Sequence, residues 1–424
     1  MSIEKPNLFS NYREFLMLSI SLLILVFIRV GDYYSDYKEF ITKPFYYTYA
    51  KVKHIYPKAN YNIIKVETTE GLIIFTGVTN RVNYLNTTIR IKISPNNNLS
   101  FVEYINGFYT QIKIKKVIKN GDNRLKDYIN NLIETQHKDS EIIEFYKAIF
   151  LASKISKSLR EKVASLGISH LIALSGLHLT ILWSVIYFIL LLPYKYFQKR
   201  FFSYRNSFFD IGVISIVLLG VYTIFVGSPP SLIRSFIMML FSWIFLIMGI
   251  KIFSFQSLSL VVLIILSLFP TLITSIALWF SIAGVFYIFL IERYSNNIQN
   301  KILKYTIFPI GIYLFMLPIT HSIFYITNIY QLTSPILSIS FVLFYPISIF
   351  LHIIGYGGLF DEVLILLFNL PSSAISFDMV IPLDLFVIYL VVSIASIWSR
   401  LSFYLLVLLA ILNIFLLYNW DLVY

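Results

Sequence analysis

The chain has 424 residues, of which 58% are hydrophobic, 17% aromatic and 13% charged, and its mean hydropathy is +0.75. Soluble globular domains carry about 25% charged residues, so this composition excludes an ordinary soluble protein and indicates a membrane protein. The absence of cysteine from the sequence excludes disulfides, thiolate metal ligands and cysteine nucleophiles.

The formal net charge of +12 is concentrated in one part of the chain. Residues 31–165 contain 21 Lys and Arg against 13 Asp and Glu, whereas residues 166–424 contain 10 against 7. A basic segment of this kind can attract nucleic acid or anionic lipid, and it is equally typical of a solvated surface. The distribution of charge alone leaves both interpretations open.

The first predicted element is an apolar run at residues 16–28. Its length is similar to that of the apolar part of a signal peptide, but it ends in Phe27-Ile28-Arg29-Val30 and lacks a small-x-small cleavage site. We therefore predict that residues 1–30 are a retained transmembrane anchor.

Residues 31–120 have the pattern of a small all-β domain. Runs rich in Ile, Val, Tyr and Thr alternate with Gly, Pro and Asn, which predicts about five strands in a small barrel or sandwich, at residues 46–55, 61–67, 72–76, 87–94 and 109–119. Alternation in two of these strands places Arg90, Lys92, Lys113 and Lys115 on one face and isoleucines on the other.

A basic strand face of this kind is a candidate surface for nucleic acid. Binding of single strands needs aromatic stacking platforms as well as cations. Tyr104, Phe108 and Tyr109 are the candidate platforms in the sequence, and ordinary core aromatics are the alternative interpretation.

The rest of the chain is predicted to be helical. Residues 121–165 are predicted to form a charged helical connector, and residues 166–424 consist almost entirely of apolar runs with short polar interruptions. Since about 20 apolar residues cross a bilayer, we predict about nine to eleven spans including the first. The basic loops Lys195–Arg205 and Arg293–Lys304 are cytoplasmic by the positive-inside rule, which places residues 31–165 outside the cytoplasm.

Polar residues cluster at the start of the second span. Residues 167–178 read Gly-Ile-Ser-His-Leu-Ile-Ala-Leu-Ser-Gly-Leu-His, which predicts a helix start or break that faces a polar cavity. His170, Ser175, Gly176 and His178 are the candidate site residues, with helix packing through Ser175 and Gly176 as the alternative. No third metal ligand lies near the histidines, and no activating carboxylate lies near Ser175, so we predict neither a metal site nor a catalytic residue.

A second cluster lies at residues 227–238, which read Gly-Ser-Pro-Pro-Ser-Leu-Ile-Arg-Ser-Phe-Ile-Met. Pro229 and Pro230 are predicted to open a helix that Ser228 or Ser231 caps. Arg234 then lies near the outer end of a span, where a guanidinium and the helix terminus together favour phosphate. The alternative is an arginine that snorkels to lipid headgroups.

These motifs resemble those of a known family. HLIALSGLHLTIL, at residues 170–182, closely resembles the His-Leu-Leu-Ala-Ile-Ser-Gly-Leu-His motif of the ComEC competence family, the inner-membrane channels for DNA uptake in transformable bacteria. Residues 230–238 resemble the family's Pro-Ser-x-x-Arg-Ala-x-x-Met motif, with Ser235 where Ala is usual. Residues 278–284 resemble, loosely, a Phe-x-Leu-Ser-Phe-x-Ala stretch in which only Ser281 is identical.

The resemblance implies a fold and a function. The fold is an α-helical polytopic membrane protein with a small extracytoplasmic all-β, OB-like domain at 31–120 and a polytopic competence domain at 166–424. The function is translocation of single-stranded DNA across the inner membrane. The metallo-β-lactamase-like domain of many members is absent from this sequence, so we expect a short form without a nuclease and not an enzyme.

The resemblance also implies partners. They are single-stranded DNA, the lipid bilayer, a periplasmic or surface DNA receptor and a cytoplasmic helicase, and a homo-oligomer is allowed. No nucleotide-binding loop occurs in the sequence, so we expect no cofactor and an external source of driving force. Two alternatives stay open: a multi-span transporter of a small or lipidic anion, and a membrane-embedded hydrolase.

Overall fold

The computed structural model describes residues 9, 11–58, 60–78, 84, 87–96, 98–118, 124–249, 254–296, 298–374 and 376–418. The chain forms two compact units. The sheet unit contains Phe9–Arg124 and Val262–Leu278, and the helical unit contains the described residues of Leu125–Val261 and Trp279–Tyr424. Each unit has its own hydrophobic core.

The sheet unit begins with one long helix and continues as a six-stranded sheet. Its elements are α1 (Tyr12–Thr42), β1 (Tyr46–Pro57), β2 (Asn62–Thr68), β3 (Ile73–Val78), β4 (Thr88–Ile93), α2 (Phe101–Asn106), β5 (Phe108–Tyr109) and β6 (Ile112–Ile118). The strand order is β5-β3-β2-β1-β4-β6; the β3–β5 pair is parallel and the other pairs are antiparallel. The predicted small sheet is therefore confirmed, but it is mixed and has six strands rather than about five. The region is not all-β, because it also contains α2 and the end of α1, and its OB-like identity stays a prediction.

The last predicted strand is divided into β5 and β6 at Thr110. The Thr110 N–H donates to the carbonyl of Phe75 in β3 at 3.0 Å, and its hydroxyl donates to the carbonyl of Ser94, just after β4, at 2.8 Å. β5 and β6 lie at opposite ends of the strand order, yet only Thr110 and Gln111 separate them. Because so short a connection spans about 10 Å, the two edges are close and the sheet curls towards a barrel.

The core of the sheet unit combines alternating strand residues with the carboxyl-terminal part of α1. Phe40 is buried, and the Tyr37 hydroxyl donates to the carbonyl of Leu99 at 2.6 Å. The predicted anchor ends at residue 30, but α1 continues to Thr42 because Tyr37, Phe40 and Ile41 recur at helical spacing and pack against the sheet.

The helical unit contains most of the remaining elements. They are α3 (Arg124–Gln136), α4 (Ser140–Leu151), α5 (Lys157–Ser165), α6 (Ser169–Ile172), α7 (Gly176–Phe201), α8 (Ser207–Phe225), α9 (Pro230–Ile247), α10 (Phe255–Leu268), α11 (Ile276–Ser295), α12 (Lys301–His321), β7 (Ile326–Thr327), α13 (Ser334–Ile353), α14 (Asp361–Asn369), β8 (Phe377–Asp378), α15 (Leu383–Ala395) and α16 (Arg400–Tyr418). The end of α10 and the first residues of α11 belong to the sheet unit.

Within the described residues, seven helical segments are long and apolar enough to cross a bilayer. They are α1, α7, α8, α9, α11, the stretch Ile329–Ile353 that contains α13, and α16. Three further apolar helices, α10, Thr306–His321 of α12 and α15, have 10–17 residues. The predicted span count of about nine to eleven is reached only with these shorter helices, which fall below the length of about 20 residues that a straight crossing needs.

The segment that precedes α7 packs along α13. One core cluster joins Phe145, Tyr146 and Ile149 of α4 to Phe341 and Tyr345 of α13. Further along α13, the Ser334 hydroxyl donates to the carbonyl of Gly167 at 2.9 Å. The described part of the predicted connector 121–165 thus shares a core with the long apolar helices.

Candidate functional site

The first predicted motif contains a helix break. α6 ends at Ile172 and α7 begins at Gly176, with extended backbone at Ala173 and Ser175. The N–H of Ser175 donates to Nδ1 of His178 at 3.3 Å, and the Ser175 hydroxyl lies 3.3 Å from the same nitrogen. The helix start that the sequence predicted is present at Gly176, and a histidine in its first turn holds it.

The two histidines of this motif lie on different helices, and both contact α13. Nε2 of His170 on α6 lies 3.1 Å from the hydroxyl of Ser338. His178 on α7 is fully buried, and the rings of Phe341 and Tyr345 meet it edge-on with centroids at 5.1 and 4.9 Å. Among the described residues, Nε2 of His178 has no hydrogen-bond partner.

These partners on α13 were not predicted from the sequence. They lie more than 160 residues after the motif, and no local pattern connects the two segments. The signal that was present is the spacing of Ser334, Ser338, Phe341 and Tyr345, which recur on one face of a helix. A polar and aromatic stripe on an otherwise apolar helix indicates a face that packs against protein rather than lipid.

The two predicted motifs meet at Gly176 and Ser235. A Cβ atom on Gly176 would lie 3.5 Å from Oγ and 3.7 Å from Cβ of Ser235. Small residues at both positions let the start of α7 approach α9 closely. The structure therefore brings together residues that lie almost 60 positions apart in the sequence.

The start of α9 differs from the prediction. Pro229 occupies the N-cap position without a side-chain hydrogen bond, and Pro230 is the first helical residue. Ser228 has a left-handed backbone (φ 54°), and its N–H donates to the carbonyl of Thr223 at 2.9 Å, so this residue closes α8. The prediction that Ser228 or Ser231 caps α9 was wrong because the turn after α8 takes Ser228 away from the cap position.

Arg234 lies in the second turn of α9 and is enclosed by protein. Its side chain is buried, with the residue 4% exposed, and among the described residues its Nε has no hydrogen-bond partner. No ion pair joins it to a described Asp or Glu. An arginine that snorkels would extend over the surface, so this burial disfavours the lipid-headgroup interpretation. A buried cation without a counter-ion is costly and favours binding of an anion.

The basic face of the sheet unit is present. On β4, Arg90 is exposed and Lys92 is half-buried, while Ile91 and Ile93 between and beside them are fully buried. Lys92 lies opposite Lys113 across the β4–β6 pair. Lys113 and Lys115 are exposed on β6, so the predicted alternation is confirmed.

Aromatic side chains lie beside these cations. Nζ of Lys92 is 4.1 Å from the centroid of the Phe45 ring. The guanidinium of Arg90 is 5.9 and 5.8 Å from the rings of Tyr47 and Tyr49 on β1. All three aromatic residues are exposed. Tyr47 and Tyr49 of β1 lie opposite Lys92 and Arg90 of β4, and rings and cations paired in this way across two strands have the composition of a single-strand binding surface.

The predicted stacking platforms were wrong in two of three cases. Tyr104 and Phe108 belong to the core of the sheet unit, where burial raises the pKa of Tyr104 to about 12. Tyr109 is exposed, but it lies on β5, at the opposite end of the strand order from β6. The signal that was missed is the alternation in residues 45–49, which places Phe45, Tyr47 and Tyr49 on the outer face of the strand.

Comparison with known proteins identifies the family. The family model described as "Competence protein" matches residues 151–420, more than half of the chain. The chain belongs to the competence protein family. This match confirms the resemblance that the motifs indicated, and together with the seven apolar helices it indicates a membrane protein with a role in competence, the uptake of DNA. No curated protein and no solved structure matches the chain.

The family match contains both predicted motifs and the whole of α13. The Phe9–Arg124 part of the sheet unit, which includes the Arg90 and Lys92 face, precedes the match. In the described part of the chain, no group of three or more His, Asp or Glu side chains has an arrangement that could hold a metal ion. That the chain has no metal, cofactor or nuclease activity stays a prediction.

Proposed function

We propose that this competence-family protein is an inner-membrane channel that passes single-stranded DNA into the cytoplasm during natural transformation. The main observation behind the proposal is the burial of Arg234, which has no counter-ion among the described residues. Arg234 immediately precedes Ser235, the residue of α9 that closely approaches Gly176 of α7. A DNA backbone that crosses about 30 Å of hydrocarbon must exchange water for fixed donors or a hydrated pore.

The proposed entrance is built from both motifs. Its residues are His170, Ser175, Gly176, His178, Pro229, Pro230 and Arg234. The guanidinium of Arg234 would take a phosphate in a two-pronged contact, and Nε2 of His178 offers a further polar atom that has no partner among the described residues. Pro229 and Pro230 begin α9 without a side-chain cap, so its first turn adds positive potential at the same end of the helix.

The basic face of the sheet unit is proposed to contact the strand outside the cytoplasm. Arg90 and Lys92 would neutralise phosphates while Tyr47 and Tyr49 stack on bases. Each of these contacts is solvent-exposed and therefore individually weak. This surface would raise the local concentration of DNA rather than select it.

The proposed setting of the channel follows from its family. The membrane would be the bacterial inner membrane, with residues 31–165 on its outer side. The partners would be a periplasmic or surface receptor that delivers DNA and a cytoplasmic helicase that draws it inward, and the channel itself would carry no enzymatic activity.

A transporter of a small or lipidic anion is the second candidate, because the buried guanidinium of Arg234 suits any anion. A hydrolase is less well supported. The Ser175 hydroxyl does lie 3.3 Å from Nδ1 of His178. However, a catalytic histidine needs a third group to orient it, and among the described residues the other ring nitrogen of His178 has no partner.

Deletion of the chain tests the proposal. Transformation is expected to be abolished, while DNA capture at the cell surface and its import across the outer barrier stay intact, because the channel acts after those steps. Captured DNA and transformants are counted in the same cultures, and a plasmid copy of the chain restores transformation. Normal transformation in a clean deletion would eliminate the channel and leave the anion transporter.

A further inference from the structure

Three titratable side chains meet in the helical unit, away from both motifs. They are His137 in the turn between α3 and α4, His352 at the end of α13 and Asp361 at the start of α14. Nδ1 of His137 lies 2.8 and 3.0 Å from the two carboxylate oxygens of Asp361. Its Nε2 lies 2.9 Å from Nε2 of His352, and Nδ1 of His352 lies 2.7 Å from the carbonyl oxygen of Ser348.

The number of protons in this chain of contacts follows from its geometry. The carbonyl of Ser348 can only accept, so Nδ1 of His352 must carry a hydrogen. The contact between the two Nε2 atoms needs a second hydrogen, and the contact with the Asp361 carboxylate needs a third. Two neutral imidazoles supply only two hydrogens. The three contacts together therefore require one additional proton.

We infer that His137, His352 and Asp361 form a buried proton-binding site, and that its proton fastens the α3–α4 turn to the junction of α13 and α14. With the proton bound, an imidazolium faces the carboxylate and the net charge of the three groups is zero. This inference does not depend on whether the chain carries DNA.

The surroundings leave the site without another counter-charge among the groups that contact it. The side chain of His137 is fully buried, and the ring of Tyr146 stacks on it with a centroid distance of 4.5 Å. Burial and the nearby Asp361 raise the pKa of the Tyr146 phenol, which keeps it neutral. The neighbouring carboxylates Glu134 and Glu141 are paired with Lys147 and Lys162.

A second attachment at the same place does not depend on protonation. The side chain of Gln136 donates to the carbonyl of His352 at 3.0 Å and accepts from the N–H of Gly357 at 2.6 Å. A Cβ on Gly357 would lie 2.6 Å from the Gln136 oxygen, so only glycine allows this approach. The amide of Gln136 holds the turn at every pH, and the proton adds the remaining attachment.

Loss of the proton changes the contacts of the turn. Either the two Nε2 atoms or Nδ1 of His137 and the carboxylate would then face each other as two acceptors at under 3 Å. The turn is expected to loosen, and with it α4, whose core residues pack on α13. Rising pH is therefore expected to weaken the attachment of the segment that leads into α7.

The first test is ¹⁵N NMR of the imidazoles in the full-length protein, with His137→Gln and His352→Gln used for assignment. At about pH 6 the wild type is expected to show one doubly protonated ring in this pair, which becomes neutral as the pH is raised. In Asp361→Asn the amide N–H can donate to Nδ1 of His137, so the contacts need only two imidazole protons. This variant is expected to show two neutral rings throughout.

The second test uses the exposed Lys138 beside the site. Lys138→Cys introduces a single cysteine into the chain, and its reaction with a maleimide, corrected for the rate of the free thiol, is expected to rise several-fold between about pH 6 and about pH 9. The same cysteine in Asp361→Asn is expected to react at a corrected rate that does not change. Two neutral rings in the wild type at about pH 6 would overturn the inference even if the Asn variant does not fold, and so would equal pH dependence in both proteins.

Discussion

The sheet unit and the helical unit present positive charge in opposite ways. In the sheet unit, the exposed Arg90 and the half-buried Lys92 lie at the surface over aromatic rings, where water solvates Arg90 fully and Lys92 in part. In the helical unit, Arg234 is buried and has no ion pair with a described residue. An anion gains little from a solvated cation and much from a desolvated one. Under the proposed function, the many charges of the sheet unit would concentrate DNA, whereas one charge of the helical unit would decide its passage.

The side of the membrane on which the sheet unit lies gives the largest expected effect, because an introduced cysteine either reacts with an impermeant reagent or does not. In the proposed function the basic face meets DNA before the entrance does, so residues 31–165 are predicted to lie outside the cytoplasm. Asn98→Cys, at an exposed position of the sheet unit, is expected to react with an impermeant maleimide in spheroplasts that are intact. Lys199→Cys, in the last turn of α7, is the control and is expected to react only after permeabilisation. The reverse pattern would invert the topology.

Substitution of the buried arginine gives the next largest effect. Arg234→Ala is expected to lower transformation by on the order of a hundredfold at normal protein abundance, because a charged partner of the phosphate is removed. Arg234→Lys is expected to restore part of it, since Lys lacks the planar fork of Arg. Transformation frequency is measured against the amount of membrane protein.

The matched control is Arg400→Ala, which removes an exposed arginine at the start of α16 and is expected to change little. Full activity of Arg234→Ala would remove this residue from the DNA path. Full transformation with Arg234→Lys would instead indicate that only the positive charge at this position matters.

The contact between the two motifs predicts a dependence on side-chain size. The Cβ of Gly176→Ala would lie 3.5 Å from Ser235 Oγ, which is ordinary van der Waals contact, so transformation is expected to be nearly unchanged. Gly176→Leu is expected to force α7 and α9 apart and to lower transformation by on the order of tenfold. Gly284→Leu in α11 is the control, since a Cβ there meets nothing within 4 Å. Equal tolerance of Leu at both glycines would contradict a packing role.

The smallest effect is expected at the surface of the sheet unit. The double variant Arg90→Gln and Lys92→Gln is expected to weaken binding of single-stranded DNA to the purified full chain by on the order of threefold to tenfold, with a shallower salt dependence. Lys53→Gln is the control, because Lys53 is already paired with Glu67 at 2.7 Å. An equal loss in the control would show that net charge matters more than the aromatic face.

The parts of the fold that were predicted from the sequence are those that depend on the local periodicity of apolar and polar residues. β1 to β4 were predicted to within about two residues, because buried residues alternate with more exposed ones along each strand, as Ile89, Ile91 and Ile93 do with Arg90 and Lys92 in β4. The start of α7 was also predicted, since Ser175 and Gly176 give a local signal. Ser228 was misassigned because its left-handed backbone is set by the preceding helix and not by its own residue type.

The parts that could not be predicted depend on distant residues. The contacts of His178 with Phe341 and Tyr345, and the meeting of His137 with His352 and Asp361, join segments that are separated by more than 160 positions. One sequence carries no signal for such pairs. The burial of Arg234 belongs to the same class, because it depends on the packing of α9 against other helices, among them α7 and α8, and not on its neighbours in sequence.

The helix α1 has a mechanical consequence. It contains 31 residues and is about 46 Å long. It runs without a break from the apolar residues 16–28 to Phe40, whose ring lies in the core of the sheet unit. An anchor joined to its domain by a flexible linker lets that domain tumble. A stiff rod fixed in a folded core does not, so a change in the tilt of α1 within the lipid becomes a rotation of the whole sheet. Bilayer thickness would thereby steer the direction in which the strands present their cations.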